Sequence, residues 1–538
     1  MSSSSSRALS SRRLVLAALT VVLGFLASGA LGFVRLGVVA AQFGTSAALD
    51  AFTASQRLPE VLFVLVAGGA LGSSFIPIYA RVRQQDEEAA WRLASAVMTL
   101  ASAAAALLGL FVALLAEPIM SLLLAGSPPD MQRLAAELTR LQMPTPFIFT
   151  ISGLLMGLLQ AHGRFLLPSL AISMNNVGIM IGALLIAPAL PPAEGLAQVG
   201  PNNVYGLAWG ALLSALLHLA VQLPALPRIK ARLRPLFAPR LEGVGRVLTL
   251  MLPRVLGLGV TQVNYLVNII LASRMAEGSL AALSVAFSLM FFALGIIAQS
   301  VGSAVFPTLA ALRAEGDMDG FRARLLGAVR AVVFLSLPAT AVCVVLGAPL
   351  LSLFERGEWT PTSTQATAWA LAFYGLGMVG FALLEVFSRA FYALEDTWTP
   401  VAVGTLAMLS NIALSLLLVQ VVGNPDELAR GAFGGLALAN SLTTLAEAAL
   451  LWALLDQRIG GLGLRSQATG LGAFLARSAG ATLGYAIVMA WLAQALPLHG
   501  VALGLAAFGL GGVAFFGLAL ILGIDEARSV PRRLLRRS

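Results

Sequence analysis

Apolar residues run for about 20 to 30 positions, break at a short cluster of Pro, Gly or Arg, and begin again, from one end of the chain to the other. Marked on this pattern, the runs lie near 14–43, 58–82, 91–116, 135–161, 168–190, 204–227, 245–273, 279–312, 323–353, 365–393, 399–422, 431–455, 470–496 and 499–523. A hydrocarbon core ~30 Å thick takes about 20 residues of helix. Each run therefore reads as a crossing helix, and the chain as an all-α polytopic membrane protein of about 14 transmembrane helices. The first run also imitates a secretory signal, with MSSSSSRALSSRR as its basic lead and LVLAALTVVLGFLASGA ending in small residues. Its apolar pattern continues through LGFVRLGVVAAQFG, about twice the length of a signal's hydrophobic region, so it is expected to be a first span.

One stretch is written twice. GALGSSFIPIYARV at 69–82 returns as QSVGSAVFPTLAAL at 299–312. At an offset of 230, Gly72, Ser73, Pro77, Ala80, Arg83 and Arg92 meet Gly302, Ser303, Pro307, Ala310, Arg313 and Arg322, and Trp91 meets Phe321. HGRFLLP at 162–168 meets LEDTWTP at 394–400 at an offset of 232. Six spans separate equivalent stretches, an even number, so both copies are expected to cross the membrane in the same sense, as a parallel repeat. The organisation that follows is a cytoplasmic N-terminal tail over 1–13, an N-lobe over 14–227 and a basic cytoplasmic linker over 228–244. A C-lobe over 245–455, two further helices within 470–523 and a basic cytoplasmic tail over 524–538 complete it.

Composition agrees and removes alternatives. The 538 residues are 58% hydrophobic and 11% charged, against about 25% charged in soluble domains. The net charge of +9 could point to nucleic acid, but the cations sit at the ends of apolar runs and concentrate in alternate loops. One set holds Arg7, Arg12, Arg13, Arg81, Arg83, Arg92, the block RIKARLRPLFAPRLEGVGR, Arg313, Arg322, Arg324 and PRRLLRR. The opposite loops hold Arg57, Arg133, Arg140, Arg274, Arg356 and Arg430. The positive-inside rule then places both termini in the cytoplasm, and the cations read as topology signals with no nucleic-acid partner expected. Cys343 is the single cysteine, and His162, His218 and His499 lie far apart, which leaves no metal or thiol chemistry and reads each histidine as interfacial. No Walker A loop, HExxH or GxSxG occurs, so no enzyme is expected and no cofactor.

ALGFVRLGVVAAQFGTSAALDAFTASQRLPEVLFVLVAGGALGSSFIPIYARV, VQLPALPRI, PRVLGLGVTQVNYLVNIILASRM and above all FYALEDTWTPV resemble the MurJ/MviN family of lipid II flippases, within the multidrug/oligosaccharidyl-lipid/polysaccharide exporter superfamily. The resemblance covers roughly residues 14–460. It implies a monomeric carrier that moves an undecaprenyl-pyrophosphate-linked peptidoglycan precursor between leaflets, in contact with membrane lipids, by alternating access between two lobes. Arg35 and Asp50 match the family's arginine and its acidic residue, whereas three further family arginines fall on Gly29, Phe63 and Ser288.

A pyrophosphate leaving water must be met by paired charge. The candidates for substrate binding are Arg35, Arg254, Asp50 and Arg57: Arg254 because a charge within a span calls for a cavity or partner, and Arg57 at the external mouth. Thr261, Asn264 and Asn268 share one helical face and, with Gln262, are candidates for lining a hydrated cavity; interhelical hydrogen bonding is the alternative. Where relatives carry acidic residues for sodium, this chain has Asn268 and Ser415, beside Asn411, so Na+, H+ and the membrane potential stay open as coupling sources. Export of another lipid-linked glycan or amphiphile, or a non-transporting scaffold, are the competing functions.

Overall fold

The structure, a computed structural model, describes residues 11–66, 70–461 and 470–528, with backbone alone at 11–23, 25, 26, 70–74, 250, 252–254, 256–258, 260 and 261. Among the described residues its regular structure is helical apart from one two-stranded ribbon pairing Gln198–Val199 with Asn202–Asn203 and an isolated bridge between Asn424 and Gly431. The described part of each apolar run is carried mainly by helix. Among the described residues ten helices are long and apolar enough to cross a membrane, or eleven when the pair Pro361–Leu376 and Met378–Ala393, bent by 45°, is one span. The other three runs include positions outside that description: Ser11–Phe43 and Val244–Ala272 contribute the apolar pieces Ala27–Phe43 and Gln262–Ala272, and the run at 58–82 is described as Ala47–Val66 and Ala70–Gln85, with 67–69 outside the described residues.

Chain contacts divide the molecule at Ile270/Leu271. The first unit therefore takes in nearly all of Val244–Ala272, one helix beyond the basic linker. Inside it, small residues let backbones touch. A Cβ on Gly178 would stand 2.4 Å from Ser214 Cα, and one on Gly182 would stand 2.6 Å from Gly210 Cα. These positions join Leu166–Ile181 to Tyr205–Ala220 by the close approach that membrane helices use where lipid is as apolar as leucine. A five-residue π turn at Gly182–Ile186 interrupts the first of them. The core of the unit gathers Phe75, Tyr79, Trp91 and Leu158, with Tyr79 edge-on to Trp91 at 5.9 Å between centroids.

In the second unit, Ser279–Leu294 passes through a π turn at Gly295–Gln299 into Ser300–Glu315. Gly377 and Gly380 approach Ser441 and Leu445 so closely that added Cβ atoms would lie at 2.6 Å and 3.0 Å. The two final helices, Leu471–Ala495 and Gly500–Ile521, dock on Met318–Val345. Arg330 pairs with Glu526 at 2.8 Å and lies 4.7 Å from the Phe474 ring centre, and Phe334 packs on Phe515 at 5.4 Å.

The written repeat is a structural one. Helix Ala70–Gln85 matches Ser300–Glu315, each 16 residues with an internal proline, Pro77 and Pro307. The next helices, Glu87–Leu114 and Met318–Val345, are 28 residues each. Both start at an aspartate that accepts backbone N–H groups, Asp86 from Glu88 and Ala89, and Asp317 from Gly320. The turns at HGRF and LEDT agree bond for bond. Gly163 N donates to Gln160 O as Glu395 N does to Tyr392 O, and Arg164 N to Leu159 O as Asp396 N does to Phe391 O. The pivot is left-handed in both, at φ 70° for Gly163 and φ 61° for Glu395.

Candidate functional site

Arg35 lies on Ser11–Phe43, half-buried. It is two turns from Ser28 and from Gln42, hence on their face of the helix. Ser28 O accepts from Asn176 Nδ2 at 3.1 Å, and Gln42 Oε1 from Asn202 Nδ2 at 2.8 Å. That face is therefore turned to protein. No hydrogen bond or ion pair of Arg35 is formed among the described residues. Asp50 is 4% exposed in the first turn of Ala47–Val66, where the helix dipole favours an anion.

Arg57, two turns further on, is held from two sides. Its guanidinium bonds Glu60 Oε2 at 2.8 Å and lies 4.8 Å from the centre of the Tyr265 ring on Val244–Ala272, a geometry in which cation and ring attract. Tyr265 follows Asn264 directly, so this contact ties Arg57 to the polar stretch of that helix. Gln262 Oε1, Asn264 Oδ1 and Asn268 Oδ1 are buried atoms with no hydrogen-bond partner among the described residues. A buried carbonyl oxygen left unpaired costs about 1–3 kcal/mol, and this one stretch of helix carries three of them. Arg254 and Thr261 are helical, and their side chains lie outside the described residues.

The three positions lacking the family's arginines are filled in other ways. Gly29 is half-buried. Phe63 packs on Phe149 at 5.6 Å, and Phe149 meets His218 edge-on at 5.3 Å. Ser288 Oγ donates to Ser284 O at 2.8 Å within its own helix. His218 is buried against protein: it is 8% exposed, with Nδ1 at 2.6 Å from Ser152 Oγ and near Gln222 Nε2. Its position near a helix end misleads because the chain folds on into the turn Leu223–Ala225, whose preceding Gln222 covers the ring.

Asn411 and Ser415 belong to the second unit, and Asn268 to the first. Asn411 Nδ2 donates to Thr443 Oγ1 at 3.1 Å. Asn411 Oδ1, Ser415 Oγ and Asn440 Oδ1 are buried without a partner among the described residues. One turn from Thr443, Glu447 sits at the middle of the helix Phe433–Ile459 with no hydrogen bond or ion pair among the described residues. A Cβ placed on Gly404 would lie 3.3 Å from Glu447 Oε1. Sequence reasoning passed over Glu447, although a lone carboxylate in an apolar run is the signal by which it could have been found. Among the described residues no three His, Cys, Asp or Glu side chains gather to hold a metal.

The family model for the lipid II flippase MurJ matches residues 39–506. The chain belongs to the MurJ lipid II flippase family. The curated MurJ of Burkholderia cenocepacia is 30% identical over 527 residues, covering 95% of this chain and 98% of that protein. A probable lipid II flippase MurJ of Vibrio cholerae is 29% identical, covering 82% and 83%. Among solved structures, a MurJ lipid II flippase in an inward closed conformation superposes with a TM-score of 0.76 at 21% identity, over 94% of this chain and 99% of that one. An inward-facing MATE transporter of the MOP superfamily gives 0.67 at 17%, over 81% and 96%. The fold is thus that of MurJ and the wider MOP superfamily, and the chain is a multi-pass membrane protein.

Proposed function

We propose that this protein is a lipid II flippase: it carries the undecaprenyl-pyrophosphate-linked peptidoglycan precursor across the bacterial inner membrane as a monomer, with both termini in the cytoplasm. The observation that carries the reading is the family match over residues 39–506, joined to full-length likeness with a curated lipid II flippase. Alternating access between two lobes follows from the repeat and is the mechanism by which a large headgroup passes while its tail stays in lipid. Catalysis has no role in it, because the cargo leaves as it entered.

In this reading Arg35 is the principal cation for the pyrophosphate, being half-buried and without an ion pair among the described residues. Arg254 joins it from Val244–Ala272. Arg57, already stacked on Tyr265, meets the cargo at the mouth, and Asp50 holds the local charge balance. Thr261, Gln262, Asn264 and Asn268 give the headgroup the hydrogen bonds it loses with water. Asn411 and Ser415 offer oxygens in the second unit, where Glu447 stands one turn from Thr443 as a carboxylate without an ion pair among the described residues, and the coupling source is Na+, H+ or the membrane potential. The test is rescue of a MurJ-depleted bacterium. The wild-type chain should restore growth, and Arg35→Ala should lower lipid II translocation about tenfold or more, since a charge-assisted hydrogen bond is worth about 1.5–3 kcal/mol. Failure of the wild type to rescue despite normal membrane expression would overturn the cargo assignment. Rescue untouched by Arg35→Ala would remove only that residue's role.

A further inference from the structure

The segment that leads from Tyr205–Ala220 to Val244–Ala272 is a pinned strap. After short turns at Leu223–Ala225 and Pro227–Ile229, Lys230 takes a left-handed φ of 52° and the chain runs extended along the helix Glu87–Leu114. The Arg234 amide donates to Ser95 Oγ at 3.0 Å and the Leu236 amide to Thr99 Oγ1 at 2.9 Å. Extended backbone sends alternate side chains to opposite sides, and the strap uses both. Ile229, Ala231 and Leu233 pack into the core around Trp91, while Arg228, Lys230, Arg232 and Arg234 are all exposed. Neither these four cations nor Arg240 and Arg246 make a hydrogen bond or ion pair among the described residues. Some arginines elsewhere are paired, Arg322 with Asp319, Arg389 with Glu385 and Arg458 with Asp396, while others, Arg324 and Arg430 among them, have no ion pair among the described residues.

Two apolar features adjoin the row. Phe237 follows Leu236 and is 74% exposed, level with Thr99 inside the apolar run at 91–116. Past Thr99 an apolar cavity of about 150 Å³ opens, lined among others by Leu100, Ala101, Ala104, Val247 and Met251. Arg246 immediately precedes Val247 in its wall.

We propose that this strap and cavity form a binding site for an anionic phospholipid, its phosphate on the row of cations and an acyl chain in the cavity. A phospholipid is favoured over an acidic protein because the charged row adjoins an exposed apolar ring and an apolar cavity on a helix that crosses the bilayer. The site does not depend on which cargo the protein moves.

The full-length protein, purified in detergent, is titrated with palmitoyl-oleoyl phosphatidylglycerol and phosphatidylcholine, and bound lipid is counted by native mass spectrometry. The wild type is expected to retain the glycerol lipid about fivefold over the choline lipid. R232Q/R234Q should bring that ratio near one, while R313Q/R324Q, which removes the same charge elsewhere, should leave it unchanged. Ala101→Leu, which fills the cavity, should lower retention of both lipids and keep their ratio. Equal loss in the two arginine pairs would mean diffuse charge and overturn the site. Displacement of the glycerol lipid from the wild type by equimolar undecaprenyl phosphate, but not from R232Q/R234Q, would assign the surface to the carrier lipid and overturn it likewise.

Discussion

His162 stacks on Trp91 at 5.5 Å and lies 5.9 Å from Tyr79, with Nδ1 donating to Leu158 O at 2.9 Å. Burial pushes its imidazole below the ordinary value; the Leu158 carbonyl opposes this and the Arg83 guanidinium adds to it. Above about pH 6.5 the ring is neutral in the folded and the unfolded chain alike. As pH falls below that, the unfolded chain takes the proton first, so stability is lost down to the folded value. The midpoint of thermal unfolding should therefore fall between about pH 7 and pH 5 in the wild type, and His162→Gln should lack that part of the fall. An identical fall in both would mean that His162 does not titrate with unfolding. At this scale the sequence discloses single residues better than their company. Arg35 stands out because it is a charge in an apolar run, Asp50 because it matches the family's acidic residue, and Arg57 because it stands at the mouth of the next run. Tyr265 as the partner of Arg57, and Ser152 and Gln222 as partners of His218, do not stand out, because packing of separate helices creates those contacts.

Among elements, the turn at FYALEDTWTP explains why its residues are so specific a signal. Asp396 Oδ1 accepts the amides of Trp398 and Thr399 at 3.1 Å and 3.0 Å, and its Oδ2 accepts from Thr399 Oγ1 at 2.6 Å and from Arg458. The hydrogen bonds of Thr399, with the Arg458 guanidinium, hold the carboxyl below the usual range. It caps the helix Trp398–Leu418 and ties it to the end of Phe433–Ile459. Asp396→Ala should cost about 1 kcal/mol for the cap, read as a lower unfolding midpoint. Arg164, its counterpart in the first repeat, makes no such cap, so Arg164→Ala should leave the midpoint within about 0.5 kcal/mol of the wild type. A smaller effect at Asp396 than at Arg164 would contradict the capping role. Helix positions were legible because bilayer thickness fixes the length of an apolar run. The bend at Gly377 and the π turns at Gly182–Ile186 and Gly295–Gln299 were not: a π turn adds one residue to a turn and leaves composition and hydropathy unchanged.

For the whole molecule, the written repeat is the part of the architecture that sequence exposes most directly, because equivalent helices start and stop at equivalent residues. The basic linker is legible as charge but not as structure: its alternation of cations and apolar residues takes on meaning only when Ser95 and Thr99 hold its backbone against a helix. Membrane orientation rests on charge asymmetry alone, and a single cysteine makes it directly testable. Cys343 lies in the span Met318–Val345, so Cys343→Ala gives a background free of thiols. Gln85 ends Ala70–Gln85 beside the basic loop, and Glu194 lies in the loop after Leu166–Ala189; both are exposed. If the arginine-rich loops are cytoplasmic, Glu194→Cys should react with an impermeant maleimide in intact cells with a permeable outer envelope. Gln85→Cys should react only after the inner membrane is opened. The reverse pattern would invert the molecule, whereas labelling of both in intact cells would contradict the three crossings, an odd number, between these two loops.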